Sequence, residues 1–468
     1  MLLLIIISSL SLINERRPKC HKIFCINISL AWNLLSEICA NLIEFLKNII
    51  FSKKFLESNR FDSKAFSRNR ILPFHYMVLF LINLLKGSYQ DELDYFFKAI
   101  RQSPTFLRAV TKSAFCRARM KLRFEAFKEL NLAAVNFFEE HFHPKTWHGF
   151  TLVAVDGSTV VVPKNDATAK HFGVWNSKSD NPCPLARVSQ LFDVLNKITL
   201  HAILSPKDIG ERELCIEHFL NLRPKDLVLL DRGYPAYWLF NMIMTAESHF
   251  CARVPVGKWK VIKKFFRSRK SETIITLKAP PSSIRQCEEL GLDTHPLTLR
   301  LIRVKLQTGE TEILITSLTD QEACPIHLFA ELYHYRWPVE EDYKVMKTRM
   351  QTENFTGKSV LSVYQDFHAR IFSKNLAQML AFPAQAEVDC LHKEKRYAYQ
   401  INFTQALSKM KDTIVVLFER PKEIAKVLIE NLIQIFTLTV EPVRPNRKFP
   451  RPNRVQRKGF YVCYKPIR

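Results

Sequence analysis

Residues 150–163 read FTLVAVDGSTVVVP. β-Branched side chains dominate this run, which reads as strand interrupted at Asp156-Gly157. Downstream, ARVSQLFDVL (186–195) and ITLHAILS (198–205) alternate well enough to be two further strands, meeting at an Asn196-Lys197 turn. ERELCIEHFLNL (211–222) reads as a helix, and LVLL (227–230) is a short all-apolar run of the kind buried on both faces. That run ends at Asp231, as the first ends at Asp156. Ligands of open α/β sheets gather at the carboxyl ends of strands, so both acids are expected to face one crevice. Each acid taken singly would serve equally well as a turn cap.

Three strands, a helix, a buried strand and a helix form the order of a ribonuclease-H-like α/β core. Residues 250–318 interrupt it with more strand-like sequence, including a hairpin of LTLRLIRVKL (297–306) and TEILITSL (311–318) turning at Thr308-Gly309. Helix returns at about 327–350 and 359–382. Upstream, residues 27–145 are helical throughout, with Thr111 or Ser113 offered as N-cap of a short basic helix that displays Lys112, Arg117, Arg119 and Lys121. Two short helices with a basic second one fit a helix-turn-helix-like reader of DNA, or a solvated basic helix in a bundle. The chain is therefore expected to divide into an N-terminal extension (1–50), a helical candidate DNA-binding domain (51–148), the α/β core (149–248 and 319–385), a β-rich insertion (249–318), a helical C-terminal region (386–443) and a basic tail (444–468).

Charge narrows the partner. Lys and Arg number 69 against 45 Asp and Glu over 468 residues, a net charge of +24, which calls for a polyanion. The excess is spread along the chain rather than gathered on one amphipathic helix, which favours nucleic acid over a membrane surface. Seven basic residues without an acid fill Lys258 to Lys270, a solvated loop or a phosphate contact. The 11 cysteines include no C-x-x-C pair, and Cys20, His21 and Cys25 lack a second ligand pair for zinc, so free thiols in a reducing cytoplasm are expected. The apolar start, MLLLIIISSLSLI, falls short of the about 20 residues a spanning helix needs.

The sharpest pattern is YHYRWPVEEDYKVMK (333–347). Tyr333, Arg336, Glu340 and Lys347 fall within an arc of roughly 60° on one helical face at about 100° per residue, with Lys344 beside them. Such a stripe makes poor core, but it suits a surface where one acid binds metal and its neighbours hold phosphates. Pro338 either bends this helix or begins it. Trp337 fits a core position or a platform for an unpaired base.

Tyr333, Arg336, Glu340 and Lys347 reproduce the Tyr-x(2)-Arg-x(3)-Glu-x(6)-Lys signature, and in this the chain resembles bacterial transposases of the insertion-sequence-four family. VDGS at Asp156 and LLDRGYP at Asp231 resemble that family's first and second acid motifs. FSRNRILPF (66–74), KSAFCRARMKL (112–122) and ENFTGKSV (353–360) resemble its flanking segments, so the likeness runs from about residue 60 to 450. The 340 − 231 = 109 residues between the second and third acids leave room for the family's β-rich insertion.

The resemblance implies a DDE-type transposase that cuts element ends and pastes them into target DNA. Asp156, Asp231 and Glu340 are the implied catalytic acids and metal ligands, holding two Mg2+ ions with Mn2+ as a substitute. Asp156 is expected to bridge both ions, with Asp231 and Glu340 completing one site each; hard cations of this kind take oxygen ligands. Tyr333, Arg336 and Lys347 are implied to contact double-stranded DNA near the cleaved end; from their own position and chemistry, Trp337, Lys344, Arg117 and Arg119 are expected to be further contacts. Arg336→Ala is expected to weaken end binding and spare metal affinity. A homodimer pairing two inverted-repeat ends, in a bacterial cytoplasm beside the nucleoid, completes the expectation. The alternatives are a ribonuclease-H-like nuclease of other purpose and a DNA-binding relic that no longer cuts.

Overall fold

Leu152–Val155 and Leu227–Leu230 are fully buried and lie side by side as parallel strands, and the sheet grows outward from this pair. The structure is a computed structural model and describes residues 20–444, apart from 69–70, 86, 107, 176–181, 306–308 and 412; for residues 20–33 only the backbone is described. The apolar start, the side chains of Cys20, His21 and Cys25, Thr308 and the basic tail after Arg444 lie outside these residues. Contacts divide the chain into two units, Pro144–Phe367 and the two flanking segments together.

In the first unit the elements run β1 (Thr151–Val161), α1 (Asp166–Phe172), β2 (Val174–Trp175), β3 (Cys183–Asp193), β4 (Ile198–Pro206), α2 (Glu211–Phe219) and β5 (Asp226–Leu230). They continue as α3 (Tyr237–Thr245), β6 (His249–Arg253), α4 (Lys260–Ser268), β7 (Glu272–Leu277), α5 (Pro281–Glu289), β8 (Leu297–Lys305) and β9 (Thr311–Thr316). Last come α6 (Leu328–His334), α7 (Pro338–Lys344) and a π-helical turn at Val345–Arg349. One mixed sheet holds all nine strands in the order β2-β3-β1-β5-β6-β9-β8-β7, with β4 also on β3. β1, β5 and β6 are parallel, as helical crossovers require, while β3 and β4 form an antiparallel meander.

The strands of 250–318 do not stand apart. β9 pairs with β6 and carries β8 and β7 with it, so the segment extends the same sheet. α3 packs Phe240 parallel to Phe250 of β6 at 4.1 Å, and Ile262 and Phe265 of α4 join the same core. The basic run from Lys258 is thus largely an amphipathic helix: its apolar residues at i and i+3 are buried while Lys263, Lys264 and Arg267 face solvent.

The flanking segments form a helical unit of their own. Helices Tyr89–Arg101 and Lys112–Arg119 are each capped by a hydroxyl, Ser88 on the Asp91 N–H and Thr111 on the Ala114 N–H. Segments from both ends of the chain interlock here through a buried Lys411–Glu92 ion pair at 2.7 Å and an Asn375–Asn131 bond at 2.8 Å. Arg117 is exposed, as expected of a basic face, but Arg119 is not. It is 2% exposed and donates to the Tyr89 hydroxyl, so its two-residue offset from Arg117 carries it inward.

No helix among the described residues is long and apolar enough to cross a membrane. Every cysteine whose side chain is described is a free thiol.

Candidate active site

Strand register brings the first two acids together. Val155 pairs with Leu230 in the β1–β5 ladder, so Asp156 and Asp231 are the next residues on adjacent parallel strands, whose spacing is about 4.8 Å. β6 ends one strand further along: Leu230 pairs with Ala252, which puts Arg253 beside Asp231, its Nε 3.7 Å from Oδ1. Arg253 also holds Glu312 of β9. Beyond Asp231 the chain turns at Arg232-Gly233, and Arg212 of α2 fixes this turn with bonds of 2.8 and 2.6 Å to the Gly233 carbonyl.

The third acid arrives on a broken helix rather than a continuous one. α6 ends at His334, and α7 begins with Pro338 at its first turn, where a missing N–H costs nothing. The break does not scatter the signature. Tyr333 donates to Asp231 Oδ1 at 3.3 Å, and Arg336 donates to Glu340 Oε1 at 2.8 Å. Three contacts then tie α7 and the π turn to the sheet. Tyr343 donates to the Asp156 carbonyl at 2.7 Å, Gln190 contacts Met346 Sδ at 3.1 Å, and Lys347 donates to Ser158 Oγ at 2.7 Å. The π turn, a form frequent at functional sites, is what lets Met346 and Lys347 both face β1 and β3.

Lys344 departs from the expected stripe. It is exposed and pairs with Glu341 at 2.5 Å, three residues back, because the helix restarts at Pro338 and turns this side chain to solvent. Trp337 is 45% exposed, not core, with the Arg336 guanidinium 5.3 Å from its ring centroid. It offers an open aromatic face beside a buried cation.

Electrostatics mark Asp156 as the centre. Burial pushes its carboxyl up to about 6; the Gly157 N–H and Arg336 oppose this, while Glu340 and Glu211 add to it. Burial works against the Arg336 charge as well, but its bond to Glu340, with Tyr333 and Asp231 nearby, raises its pKa and keeps it cationic. Burial lowers Lys347, with Glu353 opposing. Burial, then Asp231, push the Tyr333 hydroxyl up, so it stays a neutral donor. Folded protein thus holds a proton on Asp156 that the unfolded chain releases at lower pH, so stability falls as pH rises from about 4 to 6. In metal-free protein Asp156→Asn should flatten this slope, worth roughly 2 kcal/mol after allowance for partial exposure, in urea melts at pH 4.5 and 7.5.

Four participants escaped the sequence reading: Arg253, Tyr343, Ser158 and Glu211. Arg253 had a usable signal, since it too closes a β-type run. Glu211 had none, because only the fold brings α2 against β1. There Glu211 pairs with Arg187 at 3.0 Å, and a Cβ on Gly157 would stand 2.9 Å from its carboxylate, which would have to shift to admit a side chain.

Residues 147–376, which enclose all of these groups, match the family model described as a transposase DDE domain. Transposase InsG for insertion sequence element IS4 of Escherichia coli (strain K12) is 25% identical over 351 residues, 73% of this chain and 76% of the relative. This chain carries a transposase DDE domain. Among solved structures, the piggyBac transposase synaptic complex with hairpin DNA aligns over 86% of this chain and 85% of that one, at 9% identity and a TM-score of 0.39.

DDE transposases use divalent metal ions. The chemistry of the donors present fits them: Asp156, Asp231 and Glu340 offer carboxylate oxygens, the hard donors such ions take. Among the described residues, however, no three His, Cys, Asp or Glu side chains are gathered ready to hold an ion. Arg336 holds Glu340, while Tyr333 and Arg253 occupy Asp231.

Proposed function

We propose that this transposase cuts DNA at the ends of its element and joins the freed ends to target DNA, with Asp156, Asp231 and Glu340 as its catalytic acids. The reading rests on one observation: Asp156 and Asp231 follow the last pair of the parallel β1–β5 ladder, one on each strand, and the helix carrying Glu340 is bonded to the Asp156 carbonyl through Tyr343. The acids would hold two magnesium ions, or manganese in their place. Bound there, the ions supply Lewis acidity to the phosphodiester and its leaving oxygen.

The protein's own groups orient the DNA. Arg336 is 6% exposed and its buried Nε has no hydrogen-bond partner, an unpaired donor that a phosphate oxygen brought to it would satisfy. Tyr333 steadies Asp231, Lys347 steadies the Ser158 segment of β1, and Trp337 presents its face to an unstacked base. The β4-β3-β1-β5-β6 portion of the sheet has the order of a ribonuclease-H-like core, with β9-β8-β7 as an insertion added at its edge. In the helical unit, Lys112–Arg119 with exposed Arg117 would bind element DNA, and a homodimer would pair two ends.

The test is direct. Full-length protein, incubated with a fragment carrying both element ends plus target plasmid, should release 3′-OH ends and form joined product with Mg2+ or Mn2+. Chelation by EDTA should stop both. Cleavage without joining would assign a nuclease; end binding without cleavage would assign a relic.

A further inference from the structure

The basic run from Lys258 to Lys270 takes no part in the acid site, yet the fold presents it firmly. Ile262 and Phe265 anchor α4 in the sheet core, and the opposite side of the helix carries Lys260, Lys263, Lys264 and Arg267, all exposed. These four fall within an arc of about 100°. Arg303 of β8 closes the far end of the helix, donating to the Phe265, Phe266 and Lys270 carbonyls at 3.1, 2.9 and 3.0 Å. Lys258 stands just before the helix and Arg269 and Lys270 just after it, exposed as well. We propose that this face is a docking surface for the backbone of target DNA, a duplex of no fixed sequence.

Charge separates this face from an ordinary solvated one. Among the described residues none of its seven cations forms an ion pair with a carboxylate, and no acid stands in the first turn of α4, where the helix dipole favours one. Lys260 with Lys264, and Lys263 with Arg267, set like charges four residues apart, which weakens a helix left to itself. A polyanion lying along the face removes that repulsion. Lys260 and Arg267 are about 10 Å apart along the helix axis, a length over which each strand of a duplex sets about three phosphates. A membrane surface does not fit, because an amphipathic helix enters it by the apolar side, and here that side is buried in the protein.

The side chains select the kind of duplex. From Lys258 to Lys270 there is no Asn, Gln, Asp or Glu to pair with adenine or cytosine edges, and lysine meets phosphate as a point charge. Phosphate contacts position a duplex without reading it. Element ends must be told apart from all other DNA, whereas a target need not be, so a face built for phosphates suits the target. Its place in the fold agrees. β6 sets Arg253 beside Asp231, and α4 follows after a short loop. Arg212 holds the turn after Asp231, and its charge adds to burial in pushing the Lys258 pKa down, so the face begins close to that turn.

Target docking rests on the joining reaction proposed above, but one arm of its test does not. Full-length protein carrying Lys260→Gln, Lys264→Gln and Arg267→Gln together keeps the buried side of α4 intact. Its affinity for random-sequence duplex should fall, and the slope of log K against log salt should shallow by about two to three. An unchanged slope would overturn the proposal whether or not the protein joins DNA. With element ends already cut, joining to a target plasmid should drop about tenfold at low target concentration and recover as target is raised. Cleavage and gel-shift binding of the element end should match the parent. Joining equal to the parent's at every target concentration would overturn the proposal, and so would an equal loss of end cleavage, which would assign the face to the element end. Lys260→Arg, Lys264→Arg and Arg267→Lys together should behave as the parent; a loss like that of the glutamine variant would mean that shape rather than charge is at work, and the proposal would fall. A parent that joins no DNA would count against the proposed function instead, while the salt slope still decides the face.

Discussion

Asp156→Asn should reduce end cleavage by about a thousandfold or more while leaving the protein folded and able to bind element DNA. The amide keeps the shape of the side chain but not the charge, and ion-assisted stabilisation of the transition state is worth several kcal/mol, each 1.36 kcal/mol being tenfold in rate. Asp231→Asn and Glu340→Gln should fall as far, because neither remaining pair of acids completes the ligand set. Glu211→Gln is the informative control. It too lies near Asp156, but it is committed to Arg187 and faces solvent more openly, so its loss should cost less than about tenfold. Single-turnover cleavage of a labelled element end, with gel-shift binding in parallel, checks all four. If Glu340→Gln cuts normally and Glu211→Gln does not, the third acid has been misassigned.

The two acids were legible because a β-branched run and an apolar run each reach an aspartate beside a glycine, but only β5 stops there: β1 continues through Asp156 and Gly157 to Val161, held by its pairing with β3. Parallel pairing of β1 with β5 then follows from the helix between them. Position 340 was legible for another reason: the spacing of Tyr, Arg, Glu and Lys is a local pattern. Its geometry was not. A stripe computed on one continuous helix assigned Lys344 to the site, whereas Pro338 restarts the helix and the π turn re-aims Lys347, and neither effect is written in the 3.6-residue period. Arg119 failed similarly, since burial against Tyr89 depends on which helix packs alongside. Arg253 and Glu211 come from segments far apart in sequence, and only the fold sets Arg253 beside Asp231 and Glu211 beside Gly157 in the middle of β1. The strands of 250–318 were readable singly, but which strand receives them, β6 through β9, is a tertiary choice.

Arg336→Ala should have two opposite effects. Loss of a charged hydrogen bond to phosphate costs about 1.5 to 3 kcal/mol, so affinity for the element end should drop roughly tenfold to a hundredfold, and the salt dependence of binding should shallow by about one ion. The sequence alone gave no reason for metal affinity to change. The Arg336–Glu340 bond does: at 2.8 Å, with the guanidinium almost fully buried, it holds one of the three acids by a cation that competes with any metal. Removing that cation frees a carboxylate that is itself partly open to water, so the variant avoids the penalty of a stranded buried charge. Without DNA, Arg336→Ala should therefore bind Mn2+ about tenfold more tightly than the parent, since one unit of nearby positive charge has been taken from a divalent site. Adding element-end DNA to the parent should raise its Mn2+ affinity in the same direction, because a phosphate that engages Arg336 loosens its hold on Glu340, and linkage requires the metal to strengthen end binding by the same factor. Calorimetric Mn2+ titrations of both proteins, with and without the DNA end, decide the matter. Equal affinities in the DNA-free proteins would mean that Glu340 is not the ligand Arg336 restrains.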